Sequence, residues 1–187
     1  MIYLASQNAH KATELGRLLG AGVAPLPGYD APVEDGATFT ANARLKAVAG
    51  AAVAPAGATV VADDSGIVVE ALGGAPGIHS ARYGGPGLDD AGRVRHLLHE
   101  LGDAADRRAA FVCVLVAVLP DGSELVAEGR VDGTISDRPR GAGGFGYDPV
   151  FVPVGEERTI GEMTDAEKDA LSHRGRAAAA LRAALLR

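Results

Sequence analysis

Cysteine occurs once in this 187-residue chain, at Cys113. One thiol excludes a disulfide framework, and its setting in AAFVCVLVAVL reads as core rather than as a nucleophile. Lysine is also scarce, with only Lys11, Lys46 and Lys168 among 18 basic residues. Excess positive charge is missing: 24 acidic residues leave a formal charge of -6, which argues against a general electrostatic grip on a nucleic-acid backbone. No apolar run is long enough to span a bilayer, and MIYLASQNAH lacks the basic-then-apolar order of a signal peptide. A soluble cytoplasmic protein with neither nucleic-acid nor membrane partners is expected. His10, His79, His96 and His99 show no H-x-x-x-H or H-E-x-x-H spacing, which argues against zinc, and no G-x-S-x-G elbow occurs. With no repeat and no break in composition, one domain over residues 1–187 is expected.

What is present alternates between strand and helix. Ile2 to Ala5 reads as a strand, and SQNAHKATELGRLLG as a polar turn leading into a helix, with a stripe of Leu15, Leu18 and Leu19 and a stop at Gly20. Val23 to Leu26 predicts a strand, PLPGYDAPVEDGA a loop, and Thr40 to Val53 a helix facing the core through Phe39, Leu45 and Val48. Val60 to Ala62 and Ile67 to Val69 read as two strands joined by a turn or bulge at Asp63 to Gly66. A helix over Asp89 to Leu101, a central strand over Ala109 to Leu119 and a hairpin partner over Glu124 to Val131 follow. YDPVFVPV gives a last strand, Thr164 and Glu167 form a capping box, and a final helix begins near Ser172. The fold class is α/β, with a mixed central sheet flanked by helices.

Chemistry gathers in a few stretches. Ser6 and Asn8 stand where a strand yields to a helix, whose unpaired N–H groups and dipole suit phosphate, with Lys11 one turn in. The same residues also serve as an ordinary N-cap and a surface charge. Asp63 and Asp64 between apolar runs are costly unless solvated, hydrogen-bonded or metal-bound, and a solvated turn accounts for them equally. GAGGFG, Gly141 to Gly146, matches G-x-G-x-x-G in letters, but YDPVFVPV follows where a helix is required, so a dinucleotide fingerprint is rejected. A glycine loop approaching a ligand remains open, with Phe145 or Tyr147 to stack on a base. LSHRG places His173 and Arg174 at a helix start, as contacts for base or phosphate or as plain surface residues. The acids Glu34, Asp63 and Asp64, without cysteine or histidine partners, favour magnesium, and magnesium with phosphate suggests a nucleotide.

SQNAHKATEL, DDSGIVVEALGGAPGIHSARY, GGFGYDPVF and LSHRGRA stand in the same order as in the inosine/xanthosine triphosphate pyrophosphatases, the Ham1-like family, and the resemblance spans nearly the whole chain. It implies a Maf/Ham1-like fold with two lobes around an active-site cleft, and hydrolysis of ITP, dITP and XTP to monophosphate and pyrophosphate, which cleanses the nucleotide pool. By the same resemblance, Ser6, Gln7, Asn8, Ala9, His10 and Lys11 hold the triphosphate. Glu34 and Asp64 bind magnesium, Asp64 activates water, Asp63 is a neighbouring metal-site or supporting acid, and Ser65 touches substrate. Phe145, Gly146, Tyr147 and Asp148 line the base pocket, with Lys168, His173, Arg174 and Arg82 as further contacts. Many relatives have glycine where this chain has Gln7. A homodimer is also implied. Two rivals are a Maf-like pyrophosphatase for modified pyrimidine triphosphates and a nucleotide-binding protein without catalysis.

Overall fold

The structure is a computed structural model, and it describes residues 1–20 and 22–186. The chain runs β1 (Ile2–Leu4), α1 (Ala9–Leu19), β2 (Val23–Pro25), α2 (Phe39–Ala51), β3 (Thr59–Val69), α3 (Asp90–Leu101), β4 (Arg108–Val118), β5 (Glu124–Ile135), β6 (Phe151–Pro153), α4 (Asp165–Leu171) and α5 (His173–Leu185). The six strands make one mixed sheet in the order β2-β1-β3-β4-β5-β6. Pairing is parallel where Ile2 lies opposite Val23 and Thr59, and antiparallel between β5 and β6. This is the expected α/β class, and no helix among the described residues is long and apolar enough to cross a membrane.

Two compact units divide the chain. The first comprises residues 1–64, residues 113–129 and helix α5. Its core gathers Leu4, Leu15, Leu19, Val61, Cys113, Leu115 and Leu181. Leu15 and Leu19, four residues apart, share the buried face of α1. Helix α5 comes unusually near β5 because position 129 is glycine: a Cβ there would lie 2.0 Å from the carbonyl oxygen of His173. Any side chain would drive the helix outward.

The second unit comprises residues 65–112 and 130–172. Ile67, Val69, Val94, Leu97, Leu101, Val131, Ile135 and Val150 fill its core, with the Phe111 and Phe151 rings tilted against each other at 4.6 Å. Here Gly141, at φ +77°, lies against Gly161, whose carbonyl oxygen a Cβ would approach to 2.0 Å. The segment 141–146 leads into a 3-10 turn at Asp148–Val150 and then β6, so the rejected dinucleotide reading is not a strand-to-helix crossover. The Thr164–Glu167 capping box is present, with Thr164 N–H donating to Glu167 Oε2 at 2.8 Å.

Two expectations fail, both around the acids. β3 is one continuous strand of 11 residues through Asp63 and Asp64, with no turn between two strands. Helix α2 buries Asn42, Ala43, Lys46, Ala47 and Gly50, whereas Leu45 and Val48 face outward at 37% and 50% exposure. One cause explains both. Polar residues of α2 are turned inward to compensate a buried strand carboxylate, so apolar periodicity points the wrong way.

Candidate active site

Within the first unit, strand alternation sends the side chains of Asp63 and Asp64 to opposite faces of β3. Asp63, 2% exposed, meets the cations of α1 and α5: Lys11 Nζ lies 2.9 Å from its Oδ2, and Arg174 Nη2 lies 3.9 Å from the same oxygen. Burial alone raises its pKa, but Lys11, Arg174 and Lys46 together outweigh that and hold the carboxyl below its ordinary range. Arg174 also binds Glu14 of α1 through Nη1. Burial disfavours the charged form of Arg174, and the neighbouring acids Asp63 and Glu14 help to restore it.

Asp64 faces α2. Asn42 Nδ2 donates to its Oδ2 at 3.2 Å, and Lys46 Nζ approaches its Oδ1 at 3.5 Å. Lys46 also lies 3.1 Å from Glu34 Oε1, so one ammonium stands between two carboxylates. Burial works against charge on Lys46, but Asp63, Asp64 and Glu34 prevail and raise its pKa. The Asp64 pKa is raised as well, first by burial and further by Glu34, against the opposing pull of Lys46 and Lys11. Four carboxylates, Glu14, Glu34, Asp63 and Asp64, thus meet three cations, Lys11, Lys46 and Arg174.

The loop ahead of α1 completes this cluster. Asn8 caps the helix, its Oδ1 accepting the Lys11 N–H at 3.1 Å, and Ser6 Oγ accepts the Asn8 N–H at 3.2 Å. Gln7, Asn8, Ala9 and His10 are exposed and Ser6 is half-buried. The cap geometry of the plain reading is therefore real, and it leaves the same residues facing solvent at a positive helix end.

A second cluster lies within the second unit. Asp148 Oδ2 accepts from Lys168 Nζ at 2.8 Å and from the Phe145 N–H at 2.8 Å. Lys168 Nζ stands 4.7 Å from the centre of the Phe145 ring, a cation–π contact. Asp90, at the start of α3, accepts the Gly146 N–H at 2.8 Å, and the Tyr147 hydroxyl donates to the Ser80 carbonyl at 2.9 Å. Every residue of the segment 145–148 thus has an anchor. Ser65 is half-buried on β3, and Arg82 is exposed, its guanidinium 3.0 Å from His79 Nδ1.

The expected site residues therefore fall into two groups. The first unit holds Ser6 to Lys11, Glu34, Asp63, Asp64, His173 and Arg174; the second holds Ser65, Arg82, Phe145 to Asp148 and Lys168. His173 and Arg174 are not surface residues at a helix start but buried, at 4% and 2% exposure. Glu14, Asn42, Lys46, Ser80 and Asp90 were not singled out from the sequence. For Asn42 and Lys46 a signal existed: two polar residues four apart share a helical face with Ala43, Ala47 and Gly50, the small residues on which that helix packs.

Among the described residues, no three His, Cys, Asp or Glu side chains are gathered so as to hold a metal ion on their own. Glu34 and Asp64 nevertheless offer the hard carboxylate oxygens that a divalent cation takes when water and substrate phosphate oxygens complete its shell. The surplus of carboxylate over cation charge fits a divalent ion as well.

The Ham1 family profile matches residues 2–184. A dITP/XTP pyrophosphatase of Nocardia farcinica is 49% identical, aligned over 94% of this chain and 90% of the relative. One from Corynebacterium glutamicum is 47% identical over 94% and 92%. Among solved structures, the Ham1 protein of Staphylococcus aureus superposes with a TM-score of 0.86 at 39% identity, covering 98% of this chain and 97% of that one. The nucleoside-triphosphatase / dITP/XTP pyrophosphatase of Mycobacterium abscessus gives 0.76 at 48% identity, covering 96% and 97%. The match runs almost end to end and takes in both clusters, so the chain belongs to the Ham1 family.

Proposed function

We propose that this protein hydrolyses non-canonical purine nucleoside triphosphates, ITP, dITP and XTP, to the monophosphate and pyrophosphate, as one domain. The observation that carries the reading is the pair Glu34 and Asp64 bridged by Lys46, within one unit that also presents the start of α1. The names of the relatives favour purine triphosphates over a modified pyrimidine triphosphate. The intact acids favour catalysis over mere binding.

The geometry supports a role for each group. The exposed N-terminus of α1 offers N–H groups and a positive dipole end to phosphate, and Lys11 adds a full charge one turn in. Ser6, Gln7, Asn8, Ala9 and His10 form that loop. Enzymes of this kind typically use a divalent metal, and here Glu34 and Asp64 are the residues to hold Mg2+, which when bound neutralises phosphate charge. Asp63, engaged by Lys11 and Arg174, serves as the acid that holds those cations in place rather than as a ligand.

Asp64 accepts a proton from the attacking water. The water oxygen bonds to the α-phosphorus as the α–β bridging P–O bond breaks, and pyrophosphate departs with the bond's electron pair. Lys11 offsets charge on the departing group, so catalysis rests on positioning and electrostatics without a covalent enzyme intermediate.

Phe145, Gly146, Tyr147, Asp148 and Lys168 form the base-recognition segment, with Ser65 and Arg82 of the same unit as supporting contacts, and His173 and Arg174 serve as substrate-side residues of the first unit. A site built to pair with a 6-carbonyl and N1–H leaves polar groups unsatisfied when adenine is offered, which gives large discrimination. A cytoplasmic homodimer without nucleic-acid or membrane partners completes the proposal. Its test is product analysis with ITP, GTP and ATP, with and without magnesium. IMP and pyrophosphate, formed only with magnesium and far faster than GMP or AMP, are expected; IDP and phosphate would overturn the reading.

A further inference from the structure

Asn42 is fully buried near the start of α2 and uses both ends of its amide. Nδ2 donates to Asp64 Oδ2 at 3.2 Å, and Oδ1 accepts the backbone N–H of Gly36 at 2.9 Å. Gly36 lies two residues beyond Glu34. Lys46, one turn along the same helical face, makes the parallel connection with its ammonium, at 3.1 Å to Glu34 and 3.5 Å to Asp64. α2 is thus tied to the Glu34 loop and to the β3 carboxylate at two levels, one by charge and one by a neutral amide.

The fit at the neutral level is tight. A Cβ on Gly36 would lie 2.6 Å from Asn42 Oδ1 and 2.8 Å from the Ala41 Cβ, so glycine is needed for the loop to reach the amide. Asn42 occupies Asp64 Oδ2 from one side and leaves Oδ1 on the side shared with Lys46 and Glu34.

We propose that Asn42 is a positioning residue. By holding Asp64 and the Gly36 amide together, it fixes the spacing between the two carboxylates, Glu34 and Asp64, that act as a pair. This rests on the proposed metal-assisted hydrolysis, and groups that orient metal ligands typically matter 10- to 100-fold for affinity or activity.

Three readouts test it: amide hydrogen exchange at Gly36, Mn2+ binding followed by electron paramagnetic resonance without nucleotide, and pyrophosphate release from ITP across a magnesium titration. In Asn42→Ala, Gly36 exchange is expected to quicken while other unit-one amides stay protected. Mn2+ affinity and the half-activating magnesium concentration should each worsen by about 10- to 100-fold, with the KM for ITP at saturating magnesium little changed. Asn42→Asp keeps the acceptor for Gly36 but sets a carboxylate against Asp64, so exchange should stay slow while Mn2+ binding changes. If Asn42→Ala does not fold, Gly36→Ala displaces the same amide and should reproduce the loss of metal affinity. Unchanged Mn2+ affinity in the folded variant overturns the proposal. If the wild type releases no pyrophosphate, the functional reading fails, yet the exchange and Mn2+ measurements still decide the role of Asn42.

Discussion

Lys11 Nζ lies 2.9 Å from Oδ2 of Asp63, so the cation in the first turn of α1 is held by a buried acid within its own unit. The arrangement fixes a flexible side chain at its place of use, because an ammonium anchored at one oxygen keeps further donors for an anion. Arg174, on the other side of Asp63, is anchored in the same way by Glu14.

Lys11→Met is therefore expected to cost stability as well as activity. Asp63 keeps Arg174 but loses its nearer partner, so a loss of about 2 kcal/mol is expected, less than for a buried pair with no second cation. The sign with pH follows from the lowered pKa of Asp63. A carboxyl held below its ordinary 3.8 contributes stability that is full above that value and lost as pH falls through the folded-state pKa. Urea unfolding of wild type and variant should thus differ most at neutral pH and converge in strong acid. An equal gap at all pH values would remove Asp63 as the cause.

Asp64→Asn should separate activity from stability. The amide keeps the shape and still accepts from Asn42, but it takes no proton from water, so turnover on ITP should fall about 10²- to 10⁴-fold. The raised pKa of Asp64 gives the opposite linkage: ionisation opposes folding as pH rises from 3.8 through the folded-state value. In EDTA at pH 7 the variant's Tm should accordingly be no lower than wild type. A lower Tm with normal turnover would reverse both assignments.

Elements whose periodicity reflects only packing were legible in the sequence. α3 and β4 fall within a residue of expectation and α1 ends at the expected Gly20, because leucines at helical spacing and a valine-rich run each have one way to be buried. The site was half legible. Glycine-rich loops and adjacent acids pointed to the stretches that the structure gathers into its two clusters, but a buried Asp pair in mid-strand violates the rule that acids mark turns. Its compensation comes from Lys11, Asn42, Lys46 and Arg174, as many as 111 positions away in the case of Asp63 and Arg174. Long-range pairing leaves little local pattern, and the inward turn of Asn42 and Lys46 is marked in the sequence only by the helical face they share with Ala43, Ala47 and Gly50.

Cys113 should be inert to alkylation. It is fully buried in the first unit's core, and burial pushes its thiol up to about 12. At pH 8 the thiolate fraction is then negligible, and no access exists. Iodoacetamide should leave the native protein unmodified and label it quickly in denaturant. Cys113→Ser should cost about 1–3 kcal/mol by burying a hydroxyl among Leu4, Val61 and Leu115. Labelling of the native protein at the unfolded rate would contradict the core assignment.

Asp148→Asn probes the second cluster. One oxygen, Oδ2, holds both Lys168 Nζ and the Phe145 N–H, and Lys168 is only 3% exposed. The amide retains an acceptor for Phe145 but removes the carboxylate charge beside a buried ammonium, a change that costs up to about 3–5 kcal/mol. Lys168 then turns away from the Phe145 ring, and the segment 145–148, which we propose reads the base, loses its fixed geometry. The KM for ITP should rise more than kcat falls, and the preference for ITP over GTP should narrow. The double variant Asp148→Asn with Lys168→Met removes the buried ammonium as well and should recover much of the stability without restoring that preference. Recovery of both would show that the pair is structural scaffolding alone; recovery of stability alone places the charge pair in base selection.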